Sequence, residues 1–224
     1  MDWFPLFNSL RIAAFATVIV VGLGLFLAEK VTACSRGIKG LCDVIITMPL
    51  VLPPTVIGFF ILKVVGPKAL IGRGIYALFH TNVTMTWVAG VIATAVVALP
   101  LMYRTTRGAF ESYNLDYTYA AQTLGLSDTA IFWRVKLPTC KKGIIAGSIL
   151  AFARALGEYG ATSMVAGYMP GKTATISTAV YQLWRTGNDE AAMVWVVVNL
   201  LISAVVLTAI NFFEERSHGE AHLH

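Results

Sequence analysis

Arg154 and Glu158 stand four residues apart inside Lys142 to Val165, a stretch that is otherwise apolar enough to cross a bilayer. At that spacing the two side chains share one helix face and can pair, which lowers the cost of holding charge at membrane depth. Three roles are open to the pair: a structural link fixing the rotation of its helix, a direct contact from Arg154 to a passing anion, or a network that shifts as the protein changes shape. Other chemistry finds little support. Ser, His and Asp do not converge on a nucleophile arrangement, and no Gly-rich phosphate loop is followed by Lys-Ser or Lys-Thr. Neither a metal nor a cofactor is expected on the chain. His218, His222 and His224 lie among Glu214, Glu215 and Glu220, in a stretch over 214–224 that reads as a flexible, solvated tail because nothing orders the ligands. Cys34, Cys42 and Cys140 lack metal-ligand spacing and read as structural filler.

The elements that must position the Arg154–Glu158 pair follow from composition. With 57% hydrophobic and 13% charged residues and a mean hydropathy of +0.71, the 224-residue chain carries more apolar surface than a soluble domain of its size can bury. Runs of roughly 20 apolar residues, the length that spans about 30 Å of hydrocarbon, occur at Leu10 to Ala33, Leu41 to Val65, Thr84 to Tyr103, Lys142 to Val165 and Ala191 to Phe213. An all-α integral membrane protein of about five spans is therefore expected. Placing the amino terminus outside and the carboxy terminus in the cytoplasm puts ten of the 17 Lys and Arg on the inner side and six on the outer, with Arg154 inside a span. The cysteines then sit at the reducing inner boundary, where disulfides do not form readily. A net charge of +5 suits anionic headgroups rather than nucleic acid. Val31-Thr32-Ala33-Cys34 has the look of a lipoprotein cleavage site, but Glu29 and Lys30 interrupt its approach and four further spans follow, so the first span is read as retained.

Between the third and fourth spans lies a polar island, 111–141. Asn114 or Asp116 can cap a short helix running to Leu124, and Gly125 suits the left-handed position that stops it. Ser127 and Asp128 offer a fresh cap for a second helix, which Leu137-Pro138 is expected to close. Ala120 and Ala121 leave one side of the first helix nearly flat, while Leu115, Tyr119 and Leu124 are expected to bury and hold its shape. A small helix protruding from a membrane is suited to a groove on another protein. Ala121, Gly125 and Ile131 also fit the spacing of a helix-turn-helix, so a membrane-tethered DNA-binding regulator is a reading of a different class. Both ends of the loop enter spans within a few residues, which would drag the bilayer to the DNA.

Tyr119-Ala120-Ala121, Gly125 and Val135-x-Leu137-Pro138 resemble the cytoplasmic coupling loop of type I ABC importer permeases. Glutamate usually holds the first of these positions, where this chain has Tyr119. Met48 to Gly58, with Pro49, Pro53 and Pro54, and Phe152 to Thr162 followed by Ala166 to Ile176, are similar to the molybdate branch of that superfamily. The resemblance covers 9–213 as one transmembrane permease domain. It implies a non-enzymatic subunit in the inner membrane that pairs with a second copy of itself, two copies of a cytoplasmic ATPase and an extracytoplasmic oxyanion-binding protein. ATP and Mg would be used by the ATPase, with Tyr119, Ala120, Ala121, Gly125, Leu137 and Pro138 forming the contact. Sulfate and tungstate permeases share parts of these segments, so the anion implied is molybdate or tungstate, with sulfate, thiosulfate or another small anion as the alternative. An amino-acid permease would share mainly the coupling loop.

Two further features bear on transport. Pro49, Pro53 and Pro54 interrupt the second span and Pro100 sits late in the third, so bent, pathway-lining helices are expected. Gly143, Gly147, Ala151 and Ala155 recur every four residues, a small-residue stripe that suits close packing either within one subunit or across a dimer axis. Outside the spans, Gly66 to Asn82 suits a short amphipathic helix at the membrane surface. Tyr168 to Asp189 opens on a Pro170-Gly171 turn and holds a helix too short to span, so both segments are candidates for interfacial anchoring and for docking the binding protein.

Overall fold

A computed structural model describes residues 2–219, and every regular element among them is helical. In chain order these are α1 (Phe4–Thr32), α2 (Arg36–Thr47), a 3-10 turn (Met48–Leu50), α3 (Pro54–Val65), α4 (Leu70–Phe79), α5 (Trp87–Glu111) and α6 (Asp116–Thr123). There follow α7 (Asp128–Ile131), a π-helical turn (Phe132–Lys136), α8 (Leu137–Thr139), α9 (Lys141–Leu156), α10 (Gly160–Val165), α11 (Ile176–Arg185) and α12 (Asp189–Gly219). Of the expected tail, 220–224 lie outside the described residues.

The expected spans, about five, are not all single straight helices. Among the described residues, three helices are long and apolar enough to cross a membrane: α1, α5 and α12 as far as Thr208. The expected second span is a broken one, in which the segment Arg36–Leu50 and α3 are bent by 109°. Pro53 and Pro54 account for the break, since neither can donate a helical hydrogen bond, and Pro54 instead begins the new helix where its missing N–H costs nothing. Pro49 sits in the 3-10 turn just before it. Pro100 behaves differently, for α5 runs through it without interruption. The expected fourth span is also divided, into α9 and α10, at Gly157–Tyr159.

Three helices make the main core. α1, α5 and α9 pack together around Ile12, Ala16, Val20, Ala98, Met102, Tyr103 and Ala151. The small-residue stripe explains how they approach. A Cβ at Gly147 would lie 3.1 Å from the Met102 sulfur and one at Gly143 would lie 2.6 Å from Ala109 Cβ, so the stripe faces α5 inside the subunit.

A second cluster joins the two broken spans, with Ile57 and Ile61 of α3 against Ala161 and Val165 of α10 and Ala93 and Val97 of α5. A third sets α11 between the start of α1 and α12 through Ile176, Ala179 and Trp195. Asn8 donates to the carbonyl of Ala174 at 2.9 Å, and Ser9 accepts from Ile176 N–H at 2.9 Å, pinning α11 to the amino-terminal end of α1. The other end of α1 meets the polar island, where Glu29 pairs with Lys136 at 2.5 Å. Twenty residues of helix separate Ser9 from Glu29, about 30 Å at the α-helical rise and so about one hydrocarbon thickness. The 168–188 segment and the polar island therefore lie on opposite sides of a membrane-thick bundle.

Candidate functional site

The polar island folds as two short helices meeting at a glycine elbow. Asn114 Oδ1 accepts from Asp116 N–H at 2.9 Å and opens α6, and Asp116 stands in its first turn, favourable to the helix dipole. Gly125 adopts φ +78°, the left-handed geometry that ends α6, and its N–H reaches the Gln122 carbonyl at 2.9 Å. Ser127 Oγ then accepts from Ala130 N–H and caps α7. A Cβ added at Gly125 would meet nothing within 4 Å, so backbone geometry within this chain, rather than crowding, demands glycine there.

Two expectations for this loop are overturned. Leu137-Pro138 does not close the second helix, because α7, the π turn, α8 and α9 follow one another as helix from Asp128 to Leu156, joined at Cys140. Widening the chain to a π turn over Phe132–Lys136, just before the proline, accommodates the clash and the lost hydrogen bond that Pro138 imposes on an ordinary α-helix. The second correction concerns what is buried. Leu115, Tyr119 and Leu124 are exposed, Leu124 at 81%, together with Tyr117 and Trp133. The helix is held instead by Ala121, buried to 5%, by Tyr113 and by Ile131, while Ala120 stays at the surface. Since α7 continues into α9, which is packed in the main core against α1 and α5, it is not free to lie in a DNA groove, and the helix-turn-helix reading falls with it.

Around the base of the loop sits a set of ion pairs that the linear sequence hides. Arg107 on α5 pairs with Asp43 on α2 and, at 3.1 Å, with Glu111 one turn on; Lys39 on α2 also pairs with Glu111. Tyr103 donates to Asp43 at 2.5 Å. Lys136, besides pairing with Glu29, lies 4.6 Å from the centre of the Phe110 ring. Of these, Arg107–Glu111 carries a local signal that sequence reasoning missed, a spacing of four that puts both side chains on one helix face. The available signal for the rest was Asp43 itself, a lone carboxylate in an apolar window.

The Arg154–Glu158 pair forms, with Nη1 2.8 Å from Oε2, though across the end of α9 rather than along an unbroken helix. Glu158 is 4% exposed, and its other oxygen accepts from Ala161 N–H at 2.8 Å, capping α10. One carboxylate thus serves both halves of the broken span. That span then crosses α3 at close range, where a Cβ at Gly160 would lie 2.8 Å from Pro54 Cβ and one at Gly58 would lie 2.7 Å from Met164 Cβ. The proline segment and the Arg154–Glu158 segment, remote in sequence, are packed on one another.

The sequence profile of the family described as "Binding-protein-dependent transport system inner membrane component" matches residues 20–217. YvgM of Bacillus subtilis, provisionally named a molybdenum transport system permease protein, is 38% identical over 214 residues, covering 96% of this chain and 93% of that protein. The molybdenum transport system permease protein ModB of Escherichia coli K12 is 35% identical over 207 residues, covering 92% and 90%. Among solved structures, a bacterial ABC transporter involved in alginate import superposes with a TM-score of 0.73 at 15% identity, covering 95% of this chain and 78% of that one. An amino acid ABC transporter does so with a TM-score of 0.63 at 20% identity, covering 93% and 90%.

Proposed function

Because the chain belongs to the binding-protein-dependent transport system inner membrane components, we propose that it is the permease subunit of an ATP-driven importer that carries molybdate inward by alternating access. It is a multi-pass inner-membrane transport subunit, not an enzyme. The observation that carries the anion assignment is its identity of 34 to 38% with relatives named for molybdenum transport. Molybdenum in neutral water travels as a tetrahedral dianion, which no apolar helix bundle passes unaided.

In this reading two copies of the chain enclose the pathway, and an extracytoplasmic oxyanion-binding protein docks on the side of α4 and α11. A separate ATPase dimer, which uses the ATP and Mg, engages the loop on the other side. Exposed apolar side chains at Leu115, Tyr117, Tyr119, Leu124 and Trp133 give that loop the surface a partner needs. Tyr119, Ala120, Ala121 and Gly125 form the contact, while Leu137 and Pro138, beside the π turn, carry its displacement into α9. ATP-driven closure of the ATPase moves the loops together, opens the bundle outward and admits the anion, and hydrolysis returns it to the inward-open state. Arg154–Glu158 fixes the broken span rather than binding the anion, because both carboxylate oxygens are engaged within the protein.

Uptake of labelled molybdate into vesicles containing this chain, its partner ATPase and its binding protein tests the assignment. Dependence on ATP and on binding protein is expected, with inhibition by tungstate and not by sulfate. Competition by sulfate would move the chain to the sulfate branch, and no ATP-dependent uptake of any of the three would overturn the oxyanion reading.

A further inference from the structure

On the side away from the coupling loop, a cavity of about 330 Å³ is lined by Tyr159, Ser163, Tyr168, Thr178, Tyr181, Gln182 and Arg185. Thr178, Tyr181, Gln182 and Arg185 recur at i, i+3, i+4 and i+7, so one face of α11 forms a whole wall. Tyr159 and Ser163 of the broken span form the opposite wall, the Tyr159 and Tyr181 rings being 5.4 Å apart. Among the described residues, neither Asp nor Glu lines the space.

Ser163 and Thr178 already donate to the carbonyls of Gly160 and Thr175. Tyr168, Tyr181, Gln182 and Arg185, in contrast, have no side-chain hydrogen-bond or ion-pair partner among the described residues. The neighbouring carboxylate, Glu158, is engaged by Arg154 and by the N–H of Ala161, and no Asp or Glu forms an ion pair with Arg185 among the described residues. Donors without acceptors around one cation favour an anion with several acceptor oxygens and disfavour cations. The wall is also rigid, since α11 starts with a reciprocal Thr175–Thr178 cap and is pinned to α1 through Asn8 and Ser9.

From this geometry we infer that the cavity is a transient binding site for a tetrahedral oxyanion at the outer mouth of the pathway, with Arg185 as its charged contact and Tyr168, Tyr181 and Gln182 as neutral donors. The inference rests on the oxyanion-permease reading and adds the place where the anion is received after the binding protein releases it. A single charge among neutral donors holds a dianion weakly enough to let it go.

The test uses the complete importer in proteoliposomes, comparing Arg185→Gln and Arg185→Lys with Lys63→Gln, a cation in the last turn of α3 that lies outside both docking segments and does not line the cavity. Arg185→Gln is expected to lower the maximal rate of molybdate uptake at least tenfold, with the half-saturating concentration of loaded binding protein within twofold of wild type. Arg185→Lys should recover part of the rate, and Lys63→Gln should behave as wild type. Equilibrium binding of radiolabelled molybdate to the ATP-trapped complex, without binding protein, should weaken at least tenfold in Arg185→Gln. Unchanged rate and binding in Arg185→Gln, or an equal loss in Lys63→Gln, would overturn the site. A change confined to the half-saturating concentration would also overturn it, by assigning Arg185 to docking. If the wild type binds molybdate through Arg185 but transports none, the site stands and the importer reading falls; if it transports normally without Arg185, the site alone falls.

Discussion

Gly125 and Glu158 show how single side chains, or the lack of one, fix the turns and breaks between this protein's helices. At φ +78° an ordinary L-residue costs about 1–2 kcal/mol, whereas asparagine tolerates the left-handed region. Because the space beyond Gly125 is open, Gly125→Asn is expected to leave the elbow and membrane insertion intact while reducing association with the ATPase at least tenfold. Co-purification of the two subunits measures this, and undiminished association would remove the elbow from the interface. Glu158 works in the opposite sense, since a nearly buried carboxylate with two engaged oxygens is a fixed joint.

Helix breaks, more than helix lengths, shape the bundle. Two spans are interrupted, and their interruptions lie against one another, with Pro54 facing Gly160 and Gly58 facing Ala161 and Met164. A valine at 160 must push against proline, whose ring cannot turn aside, and overpacking of this kind costs about 1–3 kcal/mol. Gly160→Val is therefore expected to lower the thermal unfolding midpoint of the detergent-solubilised protein by several degrees. Gly74→Ala, in open space on α4, should not lower it. Equal midpoints for Gly160→Val and wild type would mean that the crossing is looser than its geometry indicates.

Across the full depth of the bundle, α1 links α11 to the polar island. Its start is tied to α11 by Asn8 and Ser9, and its last turns are tied to the π turn by Glu29–Lys136. In the proposed mechanism, a push on the polar island would reach the opposite side along this one helix. Lys136→Met is expected to lower binding-protein-stimulated ATP hydrolysis by the complex severalfold, a partly exposed ion pair being worth up to about 1 kcal/mol. The reversed pair, Glu29→Lys with Lys136→Glu, should recover more than half of the loss. Failure of the reversal, with assembly intact, would assign Lys136 to packing on Phe110 instead.

Composition and spacing by themselves determined that the chain is an all-helical membrane protein, where its apolar runs lie, that Gly125 ends a helix in the polar island, and that α4 and α11 are short. Each of these depends on local chemistry: apolar length against bilayer thickness, a left-handed glycine, a Pro-Gly turn. The resemblance carried by the island and the two later segments supplied the family. Only the tertiary structure decided that Leu115, Tyr119 and Leu124 face outward, because which side of a short helix is covered depends on neighbours remote in sequence. Tertiary packing likewise joined Asp43 to Arg107 and Glu29 to Lys136, and set Pro54 against Gly160. The breaks themselves were half legible: three prolines announced the first, but Gly157–Tyr159 breaks the fourth span because Glu158 turns back to cap α10 and hold Arg154, an arrangement that the spacing of four had suggested as an uninterrupted helix face.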